Sequence, residues 1–312
     1  MTVSPYLSHR PRTGPRFTRA HGLGNDYLVF EAAGPDEPGF EATPEAVQRI
    51  CHRTRGVGSD GIVVLLDPDP GPGNPFPLRM FNPDGSEFER SGNGLRILAW
   101  HLLRRERVEV GQGFQVRSGG DVIQMTVHGE PRPGLLDISV EMGRASVGPE
   151  AVGFDRAPGA VGDDDVRLDL EGVGTVSPVL VSVGNPHAVV FRDRAPRGTT
   201  LPRLGRRLAV HPAFSEGTNV QLAGVDEAGR VHIEIWERGV GPTEASGTSS
   251  CAAAVAAVRE GRVAPGAIPV LMEGGEMEVQ VGPELDVVLR GPVQEVSGGV
   301  LAPGFLRYAR EG

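Results

Sequence analysis

An internal repeat is the feature that most constrains how this chain can fold. The segment GNDYLVF at 24–30 recurs as GNPHAVVF at 184–191. Further along, FNPDGSEFERSG at 81–92 is matched by WERGVGPTEASG at 236–247. The two matches keep their order and have nearly equal offsets, about 160 and about 155 residues, as a duplicated structural unit requires. The sequence therefore predicts two similar domains.

The chain length agrees with two domains. The 312 residues exceed the roughly 150 residues that one domain usually covers. We predict an N-terminal domain over 1–145, in which 1–16 is a loose extension, and a C-terminal domain over 146–312. The boundary falls in the stretch 143–165, which is rich in Gly, Pro and Asp, as a surface linker would be.

The local patterns favour a mixed fold of strands and a few helices. The 45 Gly and 27 Pro residues indicate many short strands joined by tight turns. Aliphatic and β-branched runs predict strands, and apolar residues at helical spacing predict helices. The predicted strands include 17–20, 27–30, 62–66 and 78–81, and the predicted helices include 44–51 and 94–104.

Charge and cysteine content exclude several classes of function. A net charge of -9 disfavours binding to a phosphate backbone, so we expect no nucleic-acid partner. The sequence has no apolar run long enough for a membrane span and no apolar signal-peptide core. Cys51 and Cys251 lie far apart and lack metal-ligand spacing, which disfavours a zinc site or a disulfide framework. We expect a cytoplasmic protein.

Two matched helix starts are the strongest candidates for a binding site. In ERSGNGLRILAWHLL at 89–103 and EASGTSSCAAAVAAV at 244–258, a small polar stretch opens into an apolar helix. Ser91 and Ser246 are placed to cap free N–H groups, and each helix start can bind an anion through its backbone donors and dipole. A serine in this place is most often only a cap. The matching neighbours favour a shared site for an amino-acid-like anion.

Polar residues of the second half add chemistry near these starts. Asn185 follows a glycine, as Asn25 does in the first half, and either Asn could be a turn residue or a ligand donor. His187 and Glu237 are titratable, and Arg238 carries a fork-shaped cation. An Arg beside a Glu is usually a solvated ion pair. These residues are candidates for the site only because they lie upstream of Ser246.

The ordered motifs resemble those of the diaminopimelate epimerases, which are cofactor-independent amino-acid epimerases. The resemblance covers nearly the whole chain. It rests on HGLGNDYLVF at 21–30, ICHRTRGVGSDGIVVL at 50–65, MFNPDGSEFERSGNGLR at 80–96, GNPHAVVF at 184–191, EGTNVQL at 216–222 and ERGVGPTEASGTSSCAAAVA at 237–256.

The resemblance implies a fold and a site. The fold would be two pseudo-symmetric α/β (α+β) domains, each a curved, mostly antiparallel sheet around a central helix, with the last segment returning to the first domain. The site would lie between them and bind a small amino-acid substrate without a cofactor or a metal; a homodimer stays open. His187 and Glu237 would support the chemistry. The residues that match the family's substrate-binding positions are Asn25, Asn82, Asn185, Asn219, Glu237 and Arg238, with the backbone of Gly92, Asn93, Gly247 and Thr248.

The chain departs from the family pattern at two decisive positions. The family removes the α-proton with one cysteine and delivers another proton from a second cysteine, whereas this chain has Ser91 and Ser246 there. A thiol has a pKa near 8.5 that a helix N-terminus lowers, whereas an alkyl hydroxyl supplies almost no anion at neutral pH. His187 is a candidate helper for one serine, but Tyr27 stands at the corresponding position for Ser91. Cys251 would face away from the site, in the core.

Several alternatives stay open at this point. The serines could be a double Cys-to-Ser substitution introduced to trap the substrate complex, a natural variant with weak or no activity, or a sign of recruitment to another reaction. The chain could be an epimerase or dehydratase for another amino acid, such as a hydroxyproline. It could also be a non-catalytic amino-acid-binding protein.

Overall fold

The computed structural model describes residues 14–32, 39–88, 90–155, 166–193 and 200–310, with side chains described as far as 307. Residues 1–13 of the predicted extension and 156–165 of the predicted linker lie outside this description. Within the described residues, no helix is long and apolar enough to cross a membrane.

The first half is built mainly of strands, with two helices. Helix α1 spans Pro44–Cys51 and α2 spans Gly92–Arg104. The strands are Arg16–Gly22 (β1), Asn25–Glu31 (β2), Ile62–Leu65 (β3), Phe76–Phe81 (β4), Glu87–Phe88 (β5), Gly113–Ser118 (β6), Asp121–Arg132 (β7), Leu135–Arg144 (β8) and Ser146–Val147 (β9). A short 3-10 helix follows at Glu150–Val152.

The second half repeats this order of elements. Helix α3 spans Leu201–Leu208, α4 spans Gly247–Arg259 and α5 spans Pro303–Arg310. The strands are Leu168–Leu170 (β10), Gly174–Val176 (β11), Val179–Ser182 (β12), Pro186–Phe191 (β13), Asn219–Val225 (β14), Val231–Glu237 (β15), Gly241–Thr243 (β16), Gly266–Met272 (β17), Gly275–Val281 (β18) and Asp286–Val300 (β19).

Strand pairing in the first half closes a barrel around α2. Strand β1 pairs with β2, β2 with β3, β3 with β4, β4 with β6, β6 with β7 and β7 with β8. The β2–β3 and β4–β6 pairs are parallel and the others are antiparallel. Strand β19 pairs with both β8 and β1 and so completes the ring.

The second half uses the same pairing scheme around α4. Its parallel pairs are β13–β14 and β15–β17, at the places of β2–β3 and β4–β6. Strand β18 pairs with β19, and β12 pairs with β9 just after β8. The two halves therefore share the long strand β19, which spans Asp286–Val300.

Both central helices are buried because nearly every residue of each faces a surrounding strand. The apolar residues from Leu95 to Leu102 in α2 and from Cys251 to Ala257 in α4 belong to one continuous core. The outer helices cover separate clusters: α3 packs with Leu222 and Trp236, and α5 contacts α1. Burial on all sides explains why α2 and α4 are apolar around their circumference.

The structure confirms the predicted mixed fold of two similar domains. Helix α1 has the predicted bounds, whereas α2 begins at Gly92, two residues before the predicted start, because Ser91 caps it. The predicted strand at 62–66 ends at Leu65. The precise division at residue 145 stays a prediction, since β19 belongs to both halves.

Candidate functional site

The two central helices meet start to start at the centre of the molecule. Ser91 and Ser246 are their N-caps, with nearly equal backbone angles (φ -138°, ψ 120° and φ -149°, ψ 126°). A Cβ atom placed on Gly247 would lie 3.4 Å from the Cα of Gly92. Two helix N-termini so close together concentrate partial positive charge and free N–H donors, which favours a bound anion.

A cavity of about 600 Å³ opens at these helix starts, and both halves line it. It brings together every predicted site residue except His187. These residues are Asn25, Asn82, Ser91, Gly92, Asn93, Asn185, Asn219, Glu237, Arg238, Ser246, Gly247 and Thr248. The arrangement agrees with the expected site between two domains.

Ser91 faces a phenol rather than a base. Its Oγ accepts a hydrogen bond from the backbone N–H of Gly94 (3.1 Å) and donates one to the Tyr27 Oη (3.2 Å). Burial raises the pKa of the Tyr27 phenol far above its usual value, despite the hydrogen bond with Ser91. The phenol is therefore neutral at physiological pH and cannot take the proton of Ser91.

Ser246 has a carboxyl group as its neighbour. Its Oγ accepts a hydrogen bond from the backbone N–H of Ser249 (3.4 Å). Burial raises the pKa of Glu237, while a hydrogen bond with the Ser246 side chain opposes that rise. A carboxyl group with a raised pKa is a better proton acceptor than an exposed one. The two serines thus match in cap geometry but differ in the chemistry beside them.

His187 lies behind the cavity wall rather than in it. Its Nε2 donates to the Oδ1 of Asn185 (2.9 Å), and its Nδ1 accepts from the Nε2 of Gln221 (3.0 Å). The side chain is fully buried, and burial lowers the pKa of its imidazole to about 3. This neutral imidazole holds Asn185 in place. A direct catalytic role for His187 stays a prediction.

Asn219 and Arg238 join neighbouring strands at the rim of the cavity. The Oδ1 of Asn219 accepts from the backbone N–H of Arg238 (2.9 Å), and its Nδ2 donates to the carbonyl of Pro186 (3.1 Å). The Arg238 guanidinium donates to the carbonyl of Glu216 (2.8 Å) and remains partly exposed. It is therefore available to a ligand carboxylate.

Sequence reasoning missed several lining residues. Asp60, Phe88, Arg90 and Asp121 also line the cavity. Arg90 donates to Asp121 (2.6 Å) and to the carbonyl of Met142 (2.7 Å). Its position next to Ser91 in the sequence could have revealed it, and Asp60 follows a glycine-rich turn within a motif already singled out. Asp121 gives no comparable signal.

Neither cysteine lies in the cavity. Cys51 and Cys251 are buried free thiols, and burial raises their pKa values to about 11 and about 12. Both therefore remain protonated at neutral pH, as core thiols do. Across the ranges that the structure describes, no group of three or more His, Cys, Asp or Glu side chains is arranged to hold a metal ion.

A family comparison decides what kind of protein this is. The family model described as diaminopimelate epimerase matches residues 17–148 and 179–296, which lie on both repeats. The chain belongs to the diaminopimelate epimerase family. It is therefore an enzyme of the epimerase and racemase class.

Individual diaminopimelate epimerase relatives match over most of their length. A diaminopimelate epimerase of Desulforudis audaxviator is 38% identical over 91% of this chain and 98% of its own. The diaminopimelate epimerase 2 of Nostoc sp. is 36% identical over 92% of this chain and 95% of its own. A solved hydroxyproline epimerase from Agrobacterium vitis, with bound trans-4-hydroxy-L-proline, shares the fold at a TM-score of 0.61. It is 15% identical, over 94% of this chain and 92% of that one.

Proposed function

We propose that this chain binds diaminopimelate in the central cleft and is built for the interconversion of its LL and meso forms, a step toward lysine and peptidoglycan precursors. The observation that carries the proposal is the pair of capped helix starts meeting in one cavity that both repeats line. We further propose a cytoplasmic location and no cofactor. The serine pair would leave the epimerisation itself weak or absent.

Substrate binding would use the two ends of the cleft differently. The backbone N–H groups of 92–93 and 247–248 would hold the carboxylate at the reacting centre, as helix N-termini hold anions. Glu237 would accept the ammonium group. The amides of Asn82, Asn185 and Asn219 and the guanidinium of Arg238 would hold the distal amino-acid head.

The neighbours of the two serines support the loss of proton transfer on both faces of the α-carbon. Inversion needs a proton acceptor on one face of the α-carbon and a proton donor on the other. Ser91 faces the neutral phenol of Tyr27, so it has no base to activate it. Ser246 has Glu237 beside it. We therefore expect proton removal on at most one face, and no inversion.

The test is α-proton exchange followed by NMR in D2O. LL- and meso-diaminopimelate are incubated separately with the chain as given and with its Ser91→Cys/Ser246→Cys variant. We expect the cysteine variant to exchange the α-proton and to invert the substrate, and the serine chain to give no inversion. Single Ser91→Cys and Ser246→Cys variants serve as matched controls, because each restores one face only.

Each outcome favours a different interpretation. Inversion by the serine chain would refute the argument from the hydroxyl groups. Binding without exchange in the serine chain, with activity in the double cysteine variant, would support an epimerase cleft that is inactive because Ser91 and Ser246 have oxygen in place of sulfur. A chain that binds diaminopimelate, but whose double cysteine variant neither exchanges nor inverts it, would favour the alternative of a non-catalytic amino-acid-binding protein. Absence of binding by both would remove diaminopimelate as the substrate.

A further inference from the structure

Arg96 is a charged side chain buried in the core just beneath the cavity. It lies in α2, one turn after the helix start, and its side chain is fully buried. Burial lowers the pKa of its guanidinium to about 10, so the group still carries a full positive charge at neutral pH. A buried cation is costly unless something compensates it.

The described partners of Arg96 are all neutral. Its guanidinium donates to the carbonyls of Gly92 (3.2 Å) and Pro292 (3.3 Å), to the Oδ1 of Asn93 and to the sulfur of Met277 (3.7 Å). A Cβ on Gly291 would come within 2.4 Å of its Nη1, so the strand β19 is shaped to admit it. In the described part of the chain, the fold therefore keeps under the helix starts a cation with neutral hydrogen-bond partners.

Asn93 connects Arg96 to the cleft through its side-chain amide. Because its Oδ1 accepts from Arg96, its Nδ2 points the other way and donates to the Oδ1 of Asn25 (2.8 Å). The Nδ2 of Asn25 in turn donates to the Oδ2 of Asp60 (3.1 Å). Both amides are thus fixed between a cation at one end and a carboxylate at the other.

Ion pairs anchor Asp60, the carboxylate at the end of this series of hydrogen bonds. The Oδ1 of Asp60 accepts from the Nη2 of Arg53 (2.5 Å), and Arg53 also contacts Asp26 (2.7 Å). Asp26 accepts a further bond from Arg19 (2.7 Å). Asp60 is therefore held by a network outside the cleft, while its second oxygen holds Asn25.

We propose that Arg96 and Asp60 are positioning residues that align the Asn93 and Asn25 amides, and that the charge of Arg96 strengthens the hold of the helix starts on a substrate carboxylate. This inference rests on the proposed binding of an amino-acid carboxylate in the cleft. The ligand carboxylate would then add compensating negative charge to that of Asp137, which acts on Arg96 through space. Negative charge that moves onto that carboxylate when the α-proton leaves lies over the same cation.

The first experiment measures diaminopimelate affinity by calorimetry at neutral pH. A charge near a helix end that acts through space corresponds to about 3- to 30-fold in affinity, so we expect Arg96→Met to weaken binding by that factor. Asp60→Asn, at the more exposed end, should weaken it by a smaller factor. Arg79→Met is the matched control, because Arg79 forms an exposed ion pair with Glu87 and should change the affinity less than about twofold.

A pH series separates the charge of Arg96 from its packing. In Arg96→Lys, a buried ammonium loses its proton near neutral pH, whereas the guanidinium does not. We expect this variant to bind diaminopimelate more tightly at pH 6 than at pH 8, by about tenfold, relative to the unmodified chain. The titratable groups that interact with Arg96 through space are Asp137 on β8 and Cys251 on α4, and the same ratio is therefore measured for the unmodified chain.

A third readout needs no ligand. In protein labelled with ¹⁵N-asparagine, the side-chain amide signals of Asn25 and Asn93 should shift and broaden in Arg96→Met and in Asp60→Asn, but not in Arg79→Met. Unchanged affinity together with unchanged amide signals in folded Arg96 and Asp60 variants would overturn the inference. Shifted amide signals in a chain that binds no diaminopimelate would reject the proposed substrate and keep the aligned amides.

Discussion

At the residue scale, Glu237 is a partly buried titratable group that lines the cleft, and its pKa determines the pH range in which its side chain is charged. Burial raises its pKa, so the side chain loses its charge at a higher pH than an ordinary glutamate does. If its carboxylate holds the substrate ammonium, diaminopimelate should bind more tightly as the pH rises from 5 to 7. Glu237→Gln should bind about tenfold more weakly and remove this dependence, as calorimetry across that range would record.

The control for Glu237 is a nearby glutamate on the surface. Glu244 is exposed and is not itself a lining residue, although its neighbours Thr243 and Ala245 are, so the affinity of Glu244→Gln should follow the pH profile of the unmodified chain. A Glu237→Gln variant with the same profile as the unmodified chain would contradict a role for Glu237 in ammonium binding.

The burial of His187 leads to a prediction about the pH dependence of folding stability. Its folded pKa of about 3 lies below the unfolded value near 6.5, so the unfolded chain takes up a proton that the folded chain does not. Stability should therefore fall as the pH drops below about 6.5, by about 2 kcal/mol at pH 5 from this residue alone. His187→Gln should lose that part of the pH dependence. Urea unfolding at pH 7 and pH 5 measures it, with the exposed His128→Gln as the comparison.

The residues of the site were predictable wherever the signal is local. Ser91 and Ser246 carry their cap role in the few residues that follow them, and the structure confirms both caps. The burial of His187 was not predictable, because its partner Gln221 comes from a strand 34 positions away in the sequence. The contrast between Tyr27 and Glu237 as serine neighbours likewise depends on tertiary packing.

At the scale of elements, the close approach of α2 and α4 depends on glycine at both helix starts. A Cβ on Gly247 would lie 2.8 Å from the Cδ2 of Leu289, a fully buried side chain, and 3.4 Å from the Cα of Gly92. We expect Gly247→Ala to destabilise the fold by about 1–3 kcal/mol, because the core must shift to admit the methyl group. Chemical denaturation gives this difference.

A double mutant identifies the cause of that loss. Gly120→Ala, where a Cβ would meet no atom within 4 Å, is the control and should change stability little. Leu289→Ala removes the crowded side chain, so Gly247→Ala should cost less in that background than alone. Simple additivity of the two substitutions would show that the contact with Leu289 is not responsible.

Helix existence was easier to predict than strand pairing. Both central helices show as long apolar runs after a serine, and only the start of α2 was displaced, by two residues. The parallel pairs β2–β3 and β13–β14 join strands that are separated by a helix or a long connection. Nothing in the residues of those strands specifies the partner, because each is buried on both faces and has no alternating pattern.

At the scale of the whole molecule, β19 closes the first barrel although it lies at the far end of the sequence. It pairs with β1 and β8 and also with β18. We expect a fragment of residues 14–145 to show no cooperative unfolding, since its barrel lacks one strand. The same fragment preceded by residues 286–310 and a flexible Gly/Ser linker should unfold cooperatively.

The geometry of the chain ends makes the joined fragment feasible. Val300 pairs with Arg16, and the backbone N–H of Leu301 donates to the carbonyl of Pro15 (3.0 Å). Near-ultraviolet circular dichroism and urea denaturation compare the two fragments. Cooperative unfolding of residues 14–145 alone would show that the first half folds without β19.

The duplication itself was visible in the sequence, because two landmarks recur in order, and the matched pairing schemes agree with it. The sharing of one strand was not predicted, since the family resemblance implied only that the last segment returns to the first domain. The nearly equal landmark offsets give no indication that the last strand of the second repeat completes the first barrel, because the partner of that strand does not change the spacing of the landmarks.

The shared strand also determines how the cleft can deform. A hinge between two domains usually consists of a few linker residues that rotate freely. Here one strand of 15 residues, with a bulge at Val296 in its pairing with β1, is hydrogen-bonded into both halves, so a rotation of one half against the other bends or twists this sheet. We expect this shared strand to limit how far the spacing of the two helix starts can change.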